Sequence, residues 1–583
     1  MRSVFERKGT RMRLHGFILF IAAFFCTALN GSAQTDNPAE RIFYNAKIFT
    51  AEPKHPYAEA VAIRGDKIIA VGSHADATKA VGGGAESIDL HGKRLLPGLI
   101  DSHVHPILGG FILSSPDAGD DKVRSVADLA VVVTEAAKNG RGMHGDILMI
   151  SRIPLPIWSK TDELNKLFST DAFENLPIFL WGADGHTGWA NRVLRLRVGL
   201  TKDFISHLSE DERTYYGVSP DLEPNGLGVD AGLGKIVAAL PHQTREERLA
   251  WGRSAVHYLN SLGITAWLDA RADPGSLTAY RDLSEHGELT AHVAAFPEVK
   301  ATKETTGDPL AKVQALREQF RDVVNLTIPG IKIFADGVVE YPSQTAAMSA
   351  PYKNTGKYGE LLFDPEAFAH VVTAADKLGL VVHIHAIGDK AVTESLNGIE
   401  AARKANGNSG LPHTVAHLQF VNPSDFPRFR QLGVIADLQL LWACANVEAI
   451  ELVKPYIDPA VYVSQYPSRS LLNAGATISG GSDWYVSSPN VFLAIYQAET
   501  RQGPEGILNA RERMPRKAML YAYTRNAALA MNQLDQIGSI APGKQADFVV
   551  LDRDVLTVPV QELKNTKVIW TILGGKTIFG SKP

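Results

Sequence analysis

The chain has 583 residues, 45% hydrophobic and 21% charged, a globular composition that excludes a disordered or fibrous protein. A formal net charge of −4 excludes the basic face that nucleic-acid binding requires. The length fits one large domain with a small companion, or two or three average domains.

The first element reads as an export signal. Arg2, Arg7, Lys8, Arg11 and Arg13 form a basic head, Phe17 to Leu29 is apolar apart from Thr27, and Gly31-Ser32-Ala33 supplies small residues for cleavage. Residues 1–33 are therefore expected to be removed, and the mature protein to begin near Gln34 in the periplasm or outside the cell. The apolar run is shorter than the roughly 20 residues of a comfortable membrane span, so no stable span is expected after cleavage; an uncleaved anchor is the alternative. Cleavage removes five basic residues and one acidic residue, which takes the charge from −4 to −8. It leaves Cys444 as the one cysteine, so stability must come from burial and metal rather than an intrachain disulfide.

Residues 34–96 carry short β-rich runs with turn signals: IFYNAKIFT, EAVAIRGDKIIAVG and ESIDLHGKRLLPG. Residues 537–583 repeat the style in GSIAPGKQADFVVLD and KVIWTILGGKTIFG. Neither segment can bury a good core alone, so the two are expected to pair into one small β-sandwich built from both chain ends.

Residues 97–536 alternate apolar runs with helical, charge-rich stretches such as REERLAWGRSAVHYLNSLG and DPEAFAHVVTAADKLG. The pattern predicts an α/β fold, a (β/α)8 TIM-like barrel. Nine runs compete for eight strand places, and PIFLWGADGH is expected to lie in an insertion.

Ionisable residues close these runs, as a barrel active site requires. His103 and His105, two apart after LLPGLID, point to one side of a strand and can converge on one metal. His383 and His385 close a second run, His417 a third and Asp483 a fourth. Lys332 lies inside the apolar GIKIFAD, where an unpaired ammonium is costly. It is read either as an ion pair with Asp336 or another carboxylate, or as a carbamylated ligand bridging two metals.

PGLIDSHVHP resembles the opening motif of the amidohydrolase superfamily. With DGHTGWAN, IKIFADG, HAIGD, AHLQFV, SGGSDW and GSIAPGKQADFVVLD, the chain resembles amidohydrolase family 3, which includes N-substituted formamide deformylases. The resemblance runs over nearly the whole mature chain. It implies that His103 and His105 bind a first metal and His385 and His417 a second. It also implies that Asp483 binds the first metal and moves protons, and that Lys332 takes the bridging place. His383 is left as a neighbour on the same strand face. VVEYPSQTAAM departs from the family pattern, with Glu340 and Tyr341 where Gly, Ser and Arg are usual.

Histidine–carboxylate ligation with hydrolysis points to zinc, here two ions, that activate water and polarise a carbonyl. The expected reaction is cleavage of a C–N bond in a small amide, formamide or cyclic amide. Asp483 would be the proton carrier, and His186 a donor to the carbonyl oxygen or a capping or core histidine. Trp189, Asn191, Trp484 and Tyr485 are candidate pocket walls. A deaminase, an ester hydrolase and a non-catalytic exported binder of metal or solute remain alternatives, and a homo-oligomer is left open. N-terminal sequencing of the exported protein should find Gln34 or a near neighbour first; finding Met1 or Met12 would exclude cleavage.

Overall fold

The computed structural model describes residues 39–119, 122–169, 173–303 and 308–583; the expected signal, 1–33, lies outside them. Strands from both chain ends share one six-stranded sheet. Arg94–Pro97 pairs antiparallel with Phe548–Leu551, setting Arg94 opposite Leu551 and Pro97 opposite Phe548. Lys47–Phe49 and Tyr57–Ala58 extend the sheet on one side, Val568–Leu573 and Lys576–Gly580 on the other. A four-stranded sheet is formed by Glu40–Tyr44, Ala60–Arg64, Lys67–Gly72 and Glu86–Asp89.

Alternation along Ala60–Arg64 divides its side chains between two cores. Val61 and Ile63 join Phe43, Ile88, Phe548, Val550 and Trp570. Ala60 and Ala62 face Ala77 of the helix His74–Ala80 instead. The Phe43 ring meets Phe548 edge-on at 5.4 Å and lies 5.8 Å from Trp570. Each such aromatic contributes roughly 1.5–3 kcal/mol by burial. Residues from both ends of the chain thus complete one core, which neither end contains alone.

Eight strands in the middle of the chain run parallel. They are β1 (Leu99–Val104), β2 (Ile264–Asp269), β3 (His292–Ala295), β4 (Gly330–Phe334), β5 (Val381–Ala386), β6 (Thr414–His417), β7 (Ile435–Leu438) and β8 (Thr477–Gly480). β1 to β3 belong to one sheet and β4 to β8 to another. Parallel bridges join the sheets at both sides, Glu298 to Lys332 and Val104 to Trp484. Every residue of β1, β2 and β5 is buried, which explains their nearly unbroken apolar sequences. The ninth run, PIFLWGADGH, supplies Ile178–Gly182 to a separate six-stranded sheet inserted between β1 and β2.

The two predicted helices form as Arg245–Ser261 and Pro365–Lys377. Thr244 and Glu247 make a reciprocal capping box on the first, and the Asp364 side chain caps the second. Gly263 and Gly379, both at positive φ, turn the chain from helix into strand. Gly98 links the chain-end sheet to β1, its N–H donating to Asp547 O at 2.9 Å. A Cβ there would lie 2.0 Å from Thr265 Oγ1, so only glycine fits.

Asp376 clamps the outer layer to the strands. Its buried carboxylate accepts from Arg403 Nη1 (2.7 Å), Asn406 Nδ2 (2.9 Å) and His413 Nε2 (3.0 Å). Val382 N donates to His413 Nδ1 at 3.0 Å, which places the ring proton on Nε2, toward Asp376. Burial works against the charge, but hydrogen bonds from His413, Ser409 and Asn406 outweigh it and hold the carboxyl far below its usual range. A depressed folded pKa contributes stability above the ordinary carboxylate pKa and loses it as pH falls toward the folded value. Asp376→Ala should destabilise the protein by about 3–5 kcal/mol, because it strands Arg403 and His413. Denaturant unfolding at neutral pH checks this, and the difference from wild type should shrink below about pH 4.

Candidate active site

The apolar strands carry their ionisable residues at one end, and the strand order brings these together. β1 delivers His103 and, one residue past its end, His105. Asp483 follows β8 and is tied to β1 by backbone bonds: Asp483 N to His103 O at 2.7 Å and His105 N to Trp484 O at 2.8 Å. Asp483 Oδ1 lies 3.0 Å from His105 Nε2 and 3.6 Å from His103 Nε2. One ligand atom from each residue falls within 4.8 Å of the others, a spacing that suits one divalent ion. Asp483 (φ 54°) and His417 (φ 77°) both occupy the left-handed region, which non-glycine residues enter at a cost recurrent at functional sites.

His385 and His417 form a second group, with ring centroids 4.4 Å apart. His385 Nε2 is 3.0 Å from the Gly337 carbonyl oxygen, which can only accept, so Nε2 carries the proton and Nδ1 the lone pair. His417 stacks on Trp442 at 5.4 Å and an interplanar angle of 6°. His383 turns toward the first group: its Nε2 lies 2.8 Å from His103 Nδ1, one of the two bearing the proton.

Lys332 is wholly buried, opposite His383 in the β4–β5 register. Its amine makes no hydrogen bond among the described residues. The suggested partner, Asp336, accepts instead from the backbone N–H groups of Ala347, Ile387 and Gly388. Burial lowers the Lys332 amine to about 7, against the opposing pull of Asp483 and Asp437. Burial, with the Lys332 charge added, also pushes His103, His383, His385 and His417 well below the usual imidazole range. A neutral imidazole is the form that binds metal. Lys332 Nζ, His383 Nδ1, His417 Nδ1 and Asp483 Oδ1 are all buried without hydrogen-bond partners. Buried polar atoms are rarely left so, and a cluster with neutral imidazoles and a carboxylate fits a divalent cation.

The cluster opens into a cavity of about 980 Å³ lined by His103, His105, His186, His385, His417 and Asp483, among others. His186 enters from the inserted sheet. Its Nδ1 lies 2.6 Å from Asp230 Oδ1, and Thr345 donates to Asp230 Oδ2 at 2.8 Å. Burial lowers the imidazole pKa, but Asp230, then Asp184 and Asp483, overcompensate and raise it to about 9. His186 is thus tied to Asp230 through Nδ1 rather than capping a helix.

Three of the four residues expected on the substrate wall lie elsewhere. Trp189 is buried in the core of the inserted sheet and donates to Asn225 O at 3.0 Å. Asn191 caps the helix Arg192–Arg197 and donates to Phe168 O and Leu176 O. Trp484 packs beside Tyr258, outside the cavity lining, while its neighbour Tyr485 lines the cavity. Residues that the sequence reading missed include Asp230, Gln419 and Trp442 in the wall and Asp437 beneath it. Asp437, a carboxylate inside the apolar GVIADLQ, carried the same signal as Lys332.

The model of a family described as the amidohydrolase family matches residues 86–579. Protein LONG AFTER FAR-RED 3 of Arabidopsis thaliana is 29% identical, over 93% of this chain and 92% of its own. The N-substituted formamide deformylase of Arthrobacter pascens is 25% identical, over 91% of this chain and 96% of its own. An uncharacterized metal-dependent hydrolase from Pyrococcus horikoshii superposes with a TM-score of 0.69 at 24% identity, covering 90% of this chain and 99% of that one. Elemental analysis tests the assigned ligands: His103→Ala and His105→Ala should each lower bound metal, whereas His186→Ala should keep the wild-type content.

Proposed function

The chain belongs to the amidohydrolase family, and from that premise we propose that it is an exported hydrolase that cleaves a C–N bond in a small amide, formamide or cyclic amide. The observation that carries this reading is the meeting of His103, His105 and Asp483 with His385 and His417 at one cavity, with Lys332 buried opposite His383 on the neighbouring strand. The formamide deformylase relative supports the bond class. We read the eight parallel strands as a closed (β/α)8 barrel, supported by the two bridges, and the chain-end sheets as a β-sandwich, supported by their common core.

In this proposal His103, His105 and Asp483 hold one zinc ion, and His385, His417 and carbamylated Lys332 hold a second. Metal so bound supplies a Lewis acid for the carbonyl and lowers the pKa of water. Carbamylation begins from the neutral amine: its lone pair forms a C–N bond to carbon dioxide, a proton leaves, and an anion replaces a potential cation. The depressed Lys332 pKa favours the required free amine.

Asp483 accepts the proton of the attacking water and returns it to the leaving nitrogen. His186 commits Nδ1 to Asp230, so Nε2–H remains to donate to the carbonyl oxygen as charge develops there. A one-metal site is the second reading, favoured by one observation: among the described residues, the compact three-ligand group of histidine and acid side chains is His103, His105 and Asp483.

Turnover of an N-formyl amine, a lactam, an ester and an aminopurine by the metal-loaded protein tests the reaction class, and the expected result is amine and formate from the first and the ring-opened amino acid from the second. Asp483→Asn should lower kcat by roughly 10²–10⁴-fold while substantial metal stays bound, since an amide cannot carry the proton. Lys332→Ala should lose at least one metal equivalent and most activity, with partial recovery of both on adding a short-chain carboxylate. Full metal content in Lys332→Ala would leave the one-metal site standing.

A further inference from the structure

One buried carboxylate outside the candidate ligand set touches both segments that carry the His103 group. Asp101 is wholly closed to water, two residues before His103 on β1. Its Oδ1 accepts from Ser482 N (2.9 Å) and His103 N (3.2 Å), and its Oδ2 from Ser482 Oγ (2.6 Å). A buried carboxylate is costly unless hydrogen bonds meet its oxygens. Among the described residues, each donor that meets Asp101 is either a candidate ligand, His103, or the residue just before one, Ser482.

Ser482 passes this hold along the chain. Its Oγ, while donating to Asp101, accepts from Trp484 N at 2.9 Å. Its carbonyl oxygen accepts from Ser487 Oγ at 2.5 Å. The backbone is thus fixed on either side of Asp483, whose own N donates to His103 O at 2.7 Å and whose φ is 54°. Gly481 lets this segment press against β1, since a Cβ there would lie 2.5 Å from His103 Cβ. Asp483 Oδ1 accepts no hydrogen bond among the described residues, so its aim toward His105 and His103 comes from the backbone that carries it. A non-glycine residue keeps such a φ only where its surroundings impose it.

We propose that Asp101 is a positioning residue: through Ser482 it holds Asp483 in the left-handed conformation that sets its carboxylate beside His103 and His105. The proposal rests on the reading of those three residues as ligands of one divalent ion. Asp101 is not part of the cavity lining, so it acts through its neighbours. Loss of the Ser482 hydroxyl removes two of the bonds that impose φ at Asp483, those to Asp101 Oδ2 and from Trp484 N. The chain then relaxes toward an ordinary φ, and the carboxylate leaves its place in the ligand group.

The test is cobalt(II) titration of the metal-free, full-length protein, followed by the visible absorption of the bound ion. The ion that matters is the one lost in His103→Ala. Ser482→Ala should weaken its binding about 10–100-fold, the usual effect of removing a group that orients a ligand. If the hold works through Asp483, the same change made in Asp483→Ala should add no more than about twofold. Unchanged affinity in Ser482→Ala, or losses that multiply in full in the double variant, would overturn the proposal, because a general softening of the fold does not depend on the Asp483 carboxylate. Should Ser482→Ala not fold, Asp101→Asn goes through the same cycle with the same expectation, its amide nitrogen facing the Ser482 hydroxyl without accepting from it. Wild type that binds no cobalt, or His103→Ala that loses none, counts against the metal reading itself, and the positioning role falls with it.

Discussion

The molecule depends on burying ionisable groups at the ends of apolar strands. Lys332, His383, His385, His417 and Asp483 have almost no access to water. Burial is the largest influence on the amine and on each of these imidazoles, and it pushes all of them toward the neutral state. That one cost leaves lone pairs on the nitrogens and makes a positive ion at the centre favourable. The backbone contributes too, because left-handed φ at Asp483 and His417 aims side chains that ordinary strand geometry would not.

Around this centre the structure supplies two kinds of support. The strands carry the candidate metal ligands, and their pairing sets the register that brings His103, His385 and His417 together. The cavity wall comes from elsewhere: His186 and Asp230 from the inserted sheet, Glu340 and Thr345 from the loop after β4. The strand-end cluster and the wall are therefore built by different parts of the chain. The loop that reads VVEYPSQTAAM supplies Glu340 to the wall.

The strand-end cluster was legible in the sequence because a strand buried on both faces is nearly pure hydrocarbon, so any histidine, lysine or aspartate within it stands out. His103, His105, Lys332, His385, His417 and Asp483 were found by that contrast, and Asp437 was visible by the same rule. The pairing of the chain ends was also legible, from two sets of hairpins each too small to hold a core. Trp189 and Asn191 lie next to His186 in DGHTGWAN but not in the wall. The strand Thr187–Ala190 carries Trp189 into the core of the inserted sheet, and Asn191 beyond it caps the helix Arg192–Arg197. Asp230 left no signal, since its meeting with His186 depends on how Pro224–Val229 pairs with Thr187–Ala190.

The linkage at Gly98 has a consequence for how the chain comes to life. Pro97 lies beside Phe548, Gly98 bonds to Asp547, and the next strand carries His103. During synthesis the first ligand strand leaves the ribosome long before the strand that will anchor it. Nearly every other part of the protein must emerge before Arg94–Pro97 finds Phe548–Leu551. The contact that abuts the first strand of the site is thus made only once Phe548–Leu551 has emerged. A nascent or clipped chain lacking that segment would still pair this strand with Ile264–Asp269, but without the clasp at Pro97 and Gly98 that fixes where the strand begins.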